Sequence, residues 1–253
     1  MSQASFYDEV AAYYDLVYAD WEESMQRHGF AISNISQASG IMPGLPVRVL
    51  DVCAGIGTQA LPLAALGYDV TARDVSRGAI ERLGREASER CLTIDTAQAD
   101  LRRVGKSIDG QFNAIIAFDN SIPHLLSDSE IEAAFSHLSG LLSPKGQLVI
   151  SVRDYNQVDR SPTSSHPYGV RDRNGRSFRL GQAWRWVDAA HYRTTMIVEE
   201  HKAGAWVEVV RAEGQYYAVS VPKLLELMER VGLEARIIED VPFFQPILVG
   251  RAV

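Results

Sequence analysis

Residues 49–76 read VLDVCAGIGTQALPLAALGYDVTARDVS, and the fold turns on them. The run Val47–Val52 is short, apolar and bounded by Pro46 and Gly55, the pattern of a buried strand. The chain then turns through Ala54, Gly55, Ile56 and Gly57 into a helix expected over Thr58–Leu66, closed by Gly67. Asp69–Asp74 reads as a second strand. Glycines adopt backbone angles that other residues resist, and they let a ligand approach the main chain. Free N–H groups at a helix start favour a carboxylate or phosphate. Asp74 stands at the end of its strand, where an acid can accept hydrogen bonds from ribose hydroxyls. Gly55, Gly57 and Ala60 also satisfy a loose dinucleotide fingerprint, so this loop alone leaves the ligand open.

The same rhythm continues outward. A weaker strand lies around Leu92–Ala99, and Phe112–Phe118 is a strong one, apolar and rich in β formers. Ser127 with Glu130 makes a capping box, followed by Ile131, Ala134, Phe135, Leu138 and Leu142 on one helical face. Gly146 ends that turn and Gln147–Val152 is a fifth strand. Strands alternating with helices imply a parallel sheet, since each parallel pair needs a crossover. Residues 154–176 are rich in Pro, Ser, Asp, Arg and Gly and read as a long loop. Ser177–Val187, His191–His201 and Ala205–Ala218 then alternate polar and apolar residues between short turns, which predicts an antiparallel meander. Ser220 caps a helix over Val221–Val231, ended by Gly232, and two last strands surround Phe243–Pro246. The expected class is α/β: a Rossmann-like, doubly wound, mostly parallel seven-stranded sheet, with an antiparallel β insertion and N-terminal helices as a cap. A single domain over 1–253 follows, with a core of 43–153 and 220–253 and a substrate cap of 1–42 and 154–219.

Bulk properties narrow the function classes. The 253 residues are 46% hydrophobic and 23% charged, ordinary for a chain with a sizeable core. Net charge is −7 with no dense Lys/Arg run, so no electrostatic footprint for nucleic acid is evident. No apolar run reaches membrane-spanning length, and the start MSQASFYDEV lacks the layout of a secretory signal, giving a cytoplasmic expectation and no membrane partner. Cys53 and Cys91 stand far apart, and the six histidines are scattered, so neither a disulfide framework nor a metal site is expected. Oligomeric state is not legible.

The stretch around Asp51 resembles motif I of class I S-adenosylmethionine-dependent methyltransferases, an apolar pair, an acid, then a short Gly-rich turn. Asp51 discriminates against nicotinamide dehydrogenases, which usually continue apolar into glycine here. The similarity runs through Asp74, then Ala99-Asp100-Leu101 for the adenine, then Asp119-Asn120-Ser121 after the fourth strand, all within residues 47–152. The family often carries glycine where Cys53 stands; a small side chain still fits beside the loop. DNSIPHL (119–125) and VRDYN (152–156) are similar to their counterparts in glycine and sarcosine N-methyltransferases. That resemblance implies that Asn120 and Arg153 contact an amino-acid acceptor, with S-adenosylmethionine as cofactor, S-adenosylhomocysteine as product, and no metal.

Ligands of open α/β sheets collect beyond the carboxyl ends of the strands. The expected cofactor residues are Asp51, Ala54, Gly55, Gly57, Asp74, Asp100, Leu101 and Asp119, with Tyr14. The expected substrate residues are Tyr7, Tyr18, Trp21, Asn120, Arg153, Trp184 and Phe244. Tyr14, Asn120 and His124 are the catalytic candidates. Methyl transfer from a sulfonium is an in-line displacement by a lone pair, so placement matters most, at roughly 7–11 kcal/mol of the barrier. Aromatic faces add cation–π attraction of about 0.5–2 kcal/mol each. Arg153 suits a carboxylate, as on a glycine-like amine, whereas aromatics in the cap suit a heteroaromatic ring such as an azapteridine. N-methylation of a small metabolite is the favoured reading. A small-molecule O-methyltransferase with His124 as base and a non-catalytic S-adenosylmethionine-binding module stay open.

Overall fold

The computed structural model describes residues 3–252 apart from Leu45 and Ser107; the outermost residues of the expected 1–253 domain lie outside the described residues. Helix α1 (Gln3–Val10) runs into a 3₁₀ segment (Ala11–Val17) and then α2 (Trp21–Ala38), whose N-cap Asp20 accepts from the Glu23 N–H. Next come β1 (Arg48–Asp51), α3 (Ala60–Ala65), β2 (Asp69–Asp74), α4 (Arg77–Glu89), β3 (Asp95–Gln98), β4 (Phe112–Ala117), α5 (Asp128–Ser139) and β5 (Leu142–Ser151). Four strands follow, β6 (Thr163–Arg173), β7 (Arg176–Trp186), β8 (His191–Lys202) and β9 (Ala205–Tyr217). The chain closes with α6 (Val221–Arg230), β10 (Leu233–Ile238) and β11 (Ile247–Ala252). Serine caps set three helix starts: Ser76, Ser127 and Ser220 accept from the N–H groups of Ala79, Glu130 and Lys223. In the box at Ser127, the Glu130 carboxylate reaches back to the Leu126 N–H.

Seven strands form one sheet in the order β10-β11-β5-β4-β1-β2-β3. All neighbours are parallel except β11, which runs antiparallel to both β5 and β10. The strand order reverses between β1 and β4, so the crevice of the doubly wound fold opens at their carboxyl ends. Alternation along each strand divides the core. Leu50, Ile115 and Leu148 face α5 and α6, while Val49, Ile116 and Val149 face α2, α3 and α4. Burial of each such side chain stabilises the fold by about 1.5–3 kcal/mol. Gly146 lies inside β5 rather than before it, where the pairing with β4 shifts between Phe112 and Ala114.

The second sheet has four antiparallel strands in the order β6-β7-β8-β9, so the expected three-stranded meander is one strand short. β6 falls within the stretch read as a loop. It is the edge strand, and its composition hid it: Pro167 and Gly169 flank a register irregularity of the kind only an edge tolerates. Phe6, Val10 and Leu16 pack onto this sheet against Phe178, Leu180, Met196 and Val198. α2, by contrast, buries Met25, Ile32 and Ile35 in the core of the large sheet, so it is a layer of the core, where the sequence expectation places 1–42 in the cap. No described helix is long and apolar enough to cross a membrane.

The strand-to-helix turn after β1 requires glycine twice, for different reasons. Gly55 has φ +51° with open space around a would-be Cβ. Gly57 has φ +102°, and a Cβ there would come within 2.4 Å of Leu83 and 2.8 Å of Leu61. Gly57→Ala is therefore expected to lose about 2–4 kcal/mol of stability from strain and overpacking. In a chain of this size that lowers Tm by about 5–15 °C. Gly55→Ala should cost only about 1 kcal/mol, near the left-handed penalty alone. Equal Tm values for the two variants in thermal unfolding would contradict this assignment.

Candidate active site

Two cavities lie beyond the carboxyl ends of β1, β2 and β4. The first sits over the glycine turn and is lined by Ala54, Gly55, Asp74, Asp100 and Leu101, among others. Asp74 organises it: one carboxylate oxygen accepts from the Gly55 N–H at 2.9 Å, the other from the Ser76 N–H at 2.8 Å. Burial pushes the Asp74 carboxyl up to about 6, against the pull of those N–H groups. Ionising it therefore costs folding stability. That contribution is intact below the ordinary carboxyl range and is lost as pH rises through about 6. Asp100 is the opposite case: Arg102, which binds both its oxygens, holds it below the ordinary range.

The second cavity, about 290 Å³, is lined by Asn120, Arg153, Tyr168, Gln182, Tyr216 and Phe244 together with α2 residues. Tyr14, Tyr18 and Asp119 line both, so the two cavities meet there. Asp119 and Asn120 carry φ of +57° and +64°, two consecutive left-handed residues at the end of β4. Such conformations cost about 1–3 kcal/mol each and persist only where neighbours over-determine them. Here the Asp119 N–H donates to the Ser151 hydroxyl, and the Asn120 side chain receives the Arg153 N–H while donating to Tyr155. The strain aims the Asp119 carboxylate at the junction. That carboxylate accepts from Tyr18 (2.7 Å), Gln59 (3.0 Å) and His28 (2.9 Å).

His28 is buried, and both of its ring nitrogens face acceptors, the Ser24 carbonyl at 2.6 Å and Asp119. Only the doubly protonated ring donates to both. Burial opposes that charge, but Asp119 outweighs it and raises the His28 pKa; burial likewise opposes the Asp119 charge, and His28, Tyr18 and Gln59 bring its pKa below the ordinary value. His124 differs. Burial drives it down to about 4, its Nε2 pairs with the Tyr7 hydroxyl at 2.7 Å, and its Nδ1 faces the Gln215 carbonyl. Neutral His124 thus donates to Gln215 and accepts from Tyr7, which leaves no nitrogen for an acceptor molecule.

The segment carrying Tyr14 and Tyr18 is clamped from two sides. Asp15 accepts from Arg82 of α4 and from Arg173 of β6, both at 2.8 Å, and Arg171 donates to the Tyr18 carbonyl. Asp8 of α1 binds Ser76 and the Gly78 N–H at the start of α4.

Several expected residues sit elsewhere than the sequence suggested. Asp51 is buried behind the loop, not on the cavity wall; one oxygen accepts from the Cys53 N–H and the other has no partner among the described residues. Gly57 likewise packs behind the turn on Leu61 and Leu83. Trp21 donates to Thr58 and fastens α2 to the loop, lining neither cavity. Trp184 lies behind Arg153, whose guanidinium stacks 4.6 Å from its ring. Tyr7 and His124 line the first cavity only, beside Cys53. The sequence reading missed His28, Gln59, Tyr168, Gln182, Tyr216 and Gln245, which reach the site from α2, the turn before α3, and the far side of the chain. Among the described residues, no cluster of three His, Cys, Asp or Glu side chains is placed to hold a metal.

This sheet order, with an antiparallel last strand and a glycine turn after β1, is the fold of class I S-adenosylmethionine-dependent methyltransferases. Residues 49–146 match the family model described as a methyltransferase domain. The methyltransferase CcbJ from Streptomyces caelestis superposes with a TM-score of 0.78 at 17% identity, over 100% of both chains. A glycine/sarcosine N-methyltransferase of Parasynechococcus marenigrum is 33% identical over 139 residues, 55% of this chain and 48% of the relative. Another so named, from Halorhodospira halochloris, is 27% identical over 151 residues, 59% of this chain and 54% of the relative. The chain spans about half the length of these curated relatives.

Proposed function

We propose that this chain transfers the methyl group of S-adenosylmethionine to a nitrogen of a small metabolite and releases S-adenosylhomocysteine. The observation that carries this reading is the meeting of two cavities at Tyr14, Tyr18 and Asp119. Residues 43–153 and 220–253 with α2 form the donor-binding core in this reading, and the four-stranded sheet with the first N-terminal helix the cap. The first cavity fits the adenosyl donor. Asp74 offers a carboxylate to ribose hydroxyls, and Leu101 an apolar wall to the adenine. Bound S-adenosylmethionine supplies an electrophilic methyl group. The residues of this chain supply the rest: Tyr14 and Tyr18 turn aromatic rings toward the junction, and the clamped lid excludes water.

Nitrogen is favoured over oxygen because a neutral amine already carries its lone pair, whereas a phenol must lose a proton to a base. His124 has both nitrogens engaged, and the Asp119 oxygens already accept three bonds. The names of the two relatives agree with this choice. Turnover with methyl-labelled donor against pooled metabolites tests it: label should appear on nitrogen. Donor binding without transfer, or label on oxygen alone, would contradict it.

Two further outcomes follow. Donor affinity should fall as pH drops through about 6, because protonated Asp74 accepts ribose hydrogen bonds poorly; donor binding near that pH should release protons, measurable by calorimetry in two buffers. Arg153→Ala should raise the acceptor's KM about 10–100-fold while the Kd for S-adenosylhomocysteine holds. Collapse of donor binding in that variant would make Arg153 a structural residue.

A further inference from the structure

We infer that the acceptor is a planar ring compound rich in carbonyl or carboxylate oxygens, read by Arg153, Gln182 and Gln245, and not a short-chain amino acid. The inference rests on the methyl-transfer reading and deepens it. Size is the first observation. The second cavity encloses about 290 Å³, near the lower end of the range for sites that take a ring compound. A two-carbon amino acid would leave most of it unfilled. Tyr14, Tyr168 and Phe244 bring aromatic rings to its walls, which suits a flat π system.

Polarity is the second observation, and it follows from which atoms are already engaged. The Trp184 indole N–H can only donate, and it points at Gln182 Oε1 at 2.9 Å, so the amide orientation is fixed. Gln182 Nε2 then has no partner among the described residues. The Ser151 hydroxyl receives the Asp119 N–H and gives its own proton to Gln245 Oε1 at 3.0 Å, an arrangement that turns Gln245 Nε2 outward. Arg153 donates through Nη1 to the Tyr192 hydroxyl and forms no ion pair among the described residues, although Trp184 and Tyr155 press on its guanidinium. Three donor groups, one of them cationic, therefore converge on one cavity. The carboxylate in that wall, Asp119, already accepts three bonds. A donor-rich wall of this kind complements ring carbonyls and a carboxylate, and it offers an ammonium no free anion.

The test uses the full chain loaded with S-adenosylhomocysteine and four probes: the bicyclic dione lumazine, the ring carboxylate orotate, glycine and sarcosine. Binding is read by calorimetry. Lumazine or orotate should bind at least tenfold tighter than glycine and sarcosine. Gln182→Glu and Gln245→Glu keep the oxygen that Trp184 or Ser151 needs and replace the Nε2 donor with a charged oxygen. Each should weaken ring binding at least tenfold with unchanged affinity for S-adenosylhomocysteine. Preference for glycine or sarcosine, or ring binding indifferent to both substitutions, overturns the inference while leaving methyl transfer intact. Failure of S-adenosylhomocysteine itself to bind overturns both.

Discussion

Asp119→Ala is expected to cost about 3–5 kcal/mol of stability and to lower kcat/KM at least about a hundredfold. The carboxylate gathers α2 through His28, the N-terminal 3₁₀ segment through Tyr18 and the glycine loop through Gln59. Its removal leaves a buried imidazolium without a counter-ion and two further donors without acceptors. His28 would shed its proton, since the field that raises its pKa comes from Asp119. NMR titration of His28 separates this from simple loosening: the raised pKa of the parent should fall in Asp119→Asn, which keeps the shape and removes the charge. A variant as stable and as active as the parent, with His28 titrating unchanged, would show that the junction does not depend on this group.

Asp74→Ala should weaken S-adenosylhomocysteine about 10–150-fold, the loss expected when charged acceptors worth about 1.5–3 kcal/mol are withdrawn from a buried ligand. Two effects combine. The ribose loses its partner, and the Gly55 and Ser76 N–H groups lose theirs, so the glycine turn relaxes as well. Asp74→Asn separates the two, because its amide oxygen still accepts one N–H while the charge is gone. The pH dependence of donor affinity near 6 should vanish in both variants, and an unchanged Kd in Asp74→Ala would falsify the ribose assignment.

The large sheet was legible because its signals are local. Apolar runs, Gly67 and Gly232 after helices, and serine caps at Ser127 and Ser220 each mark an element within a few residues. β6 was not legible because an edge strand needs only one bonded side, so Pro167, Gly169 and alternating polar residues suffice there. Half of the candidate site shows the same limit. Asp74 and Gly55 could be read from their place on strand and turn, and the cavity puts both on its wall. His28 looks like any polar position in an amphipathic helix, and Gln182 like any residue of an alternating strand; only tertiary packing sets one against Asp119 and the other beside Arg153. Trp21 and Trp184 erred the other way. Large aromatics near a pocket read as its lining, whereas one fastens a helix and the other backs the arginine.

The central claim is that the cleft over Gly55 and Asp74 takes an adenosyl methyl donor. Titration of the purified chain with S-adenosylhomocysteine, followed by competition with NADH, tests it most directly. The expected result is saturable one-to-one binding that NADH does not displace and that weakens below pH about 6. Absence of binding, or displacement by NADH at comparable concentration, would contradict the claim.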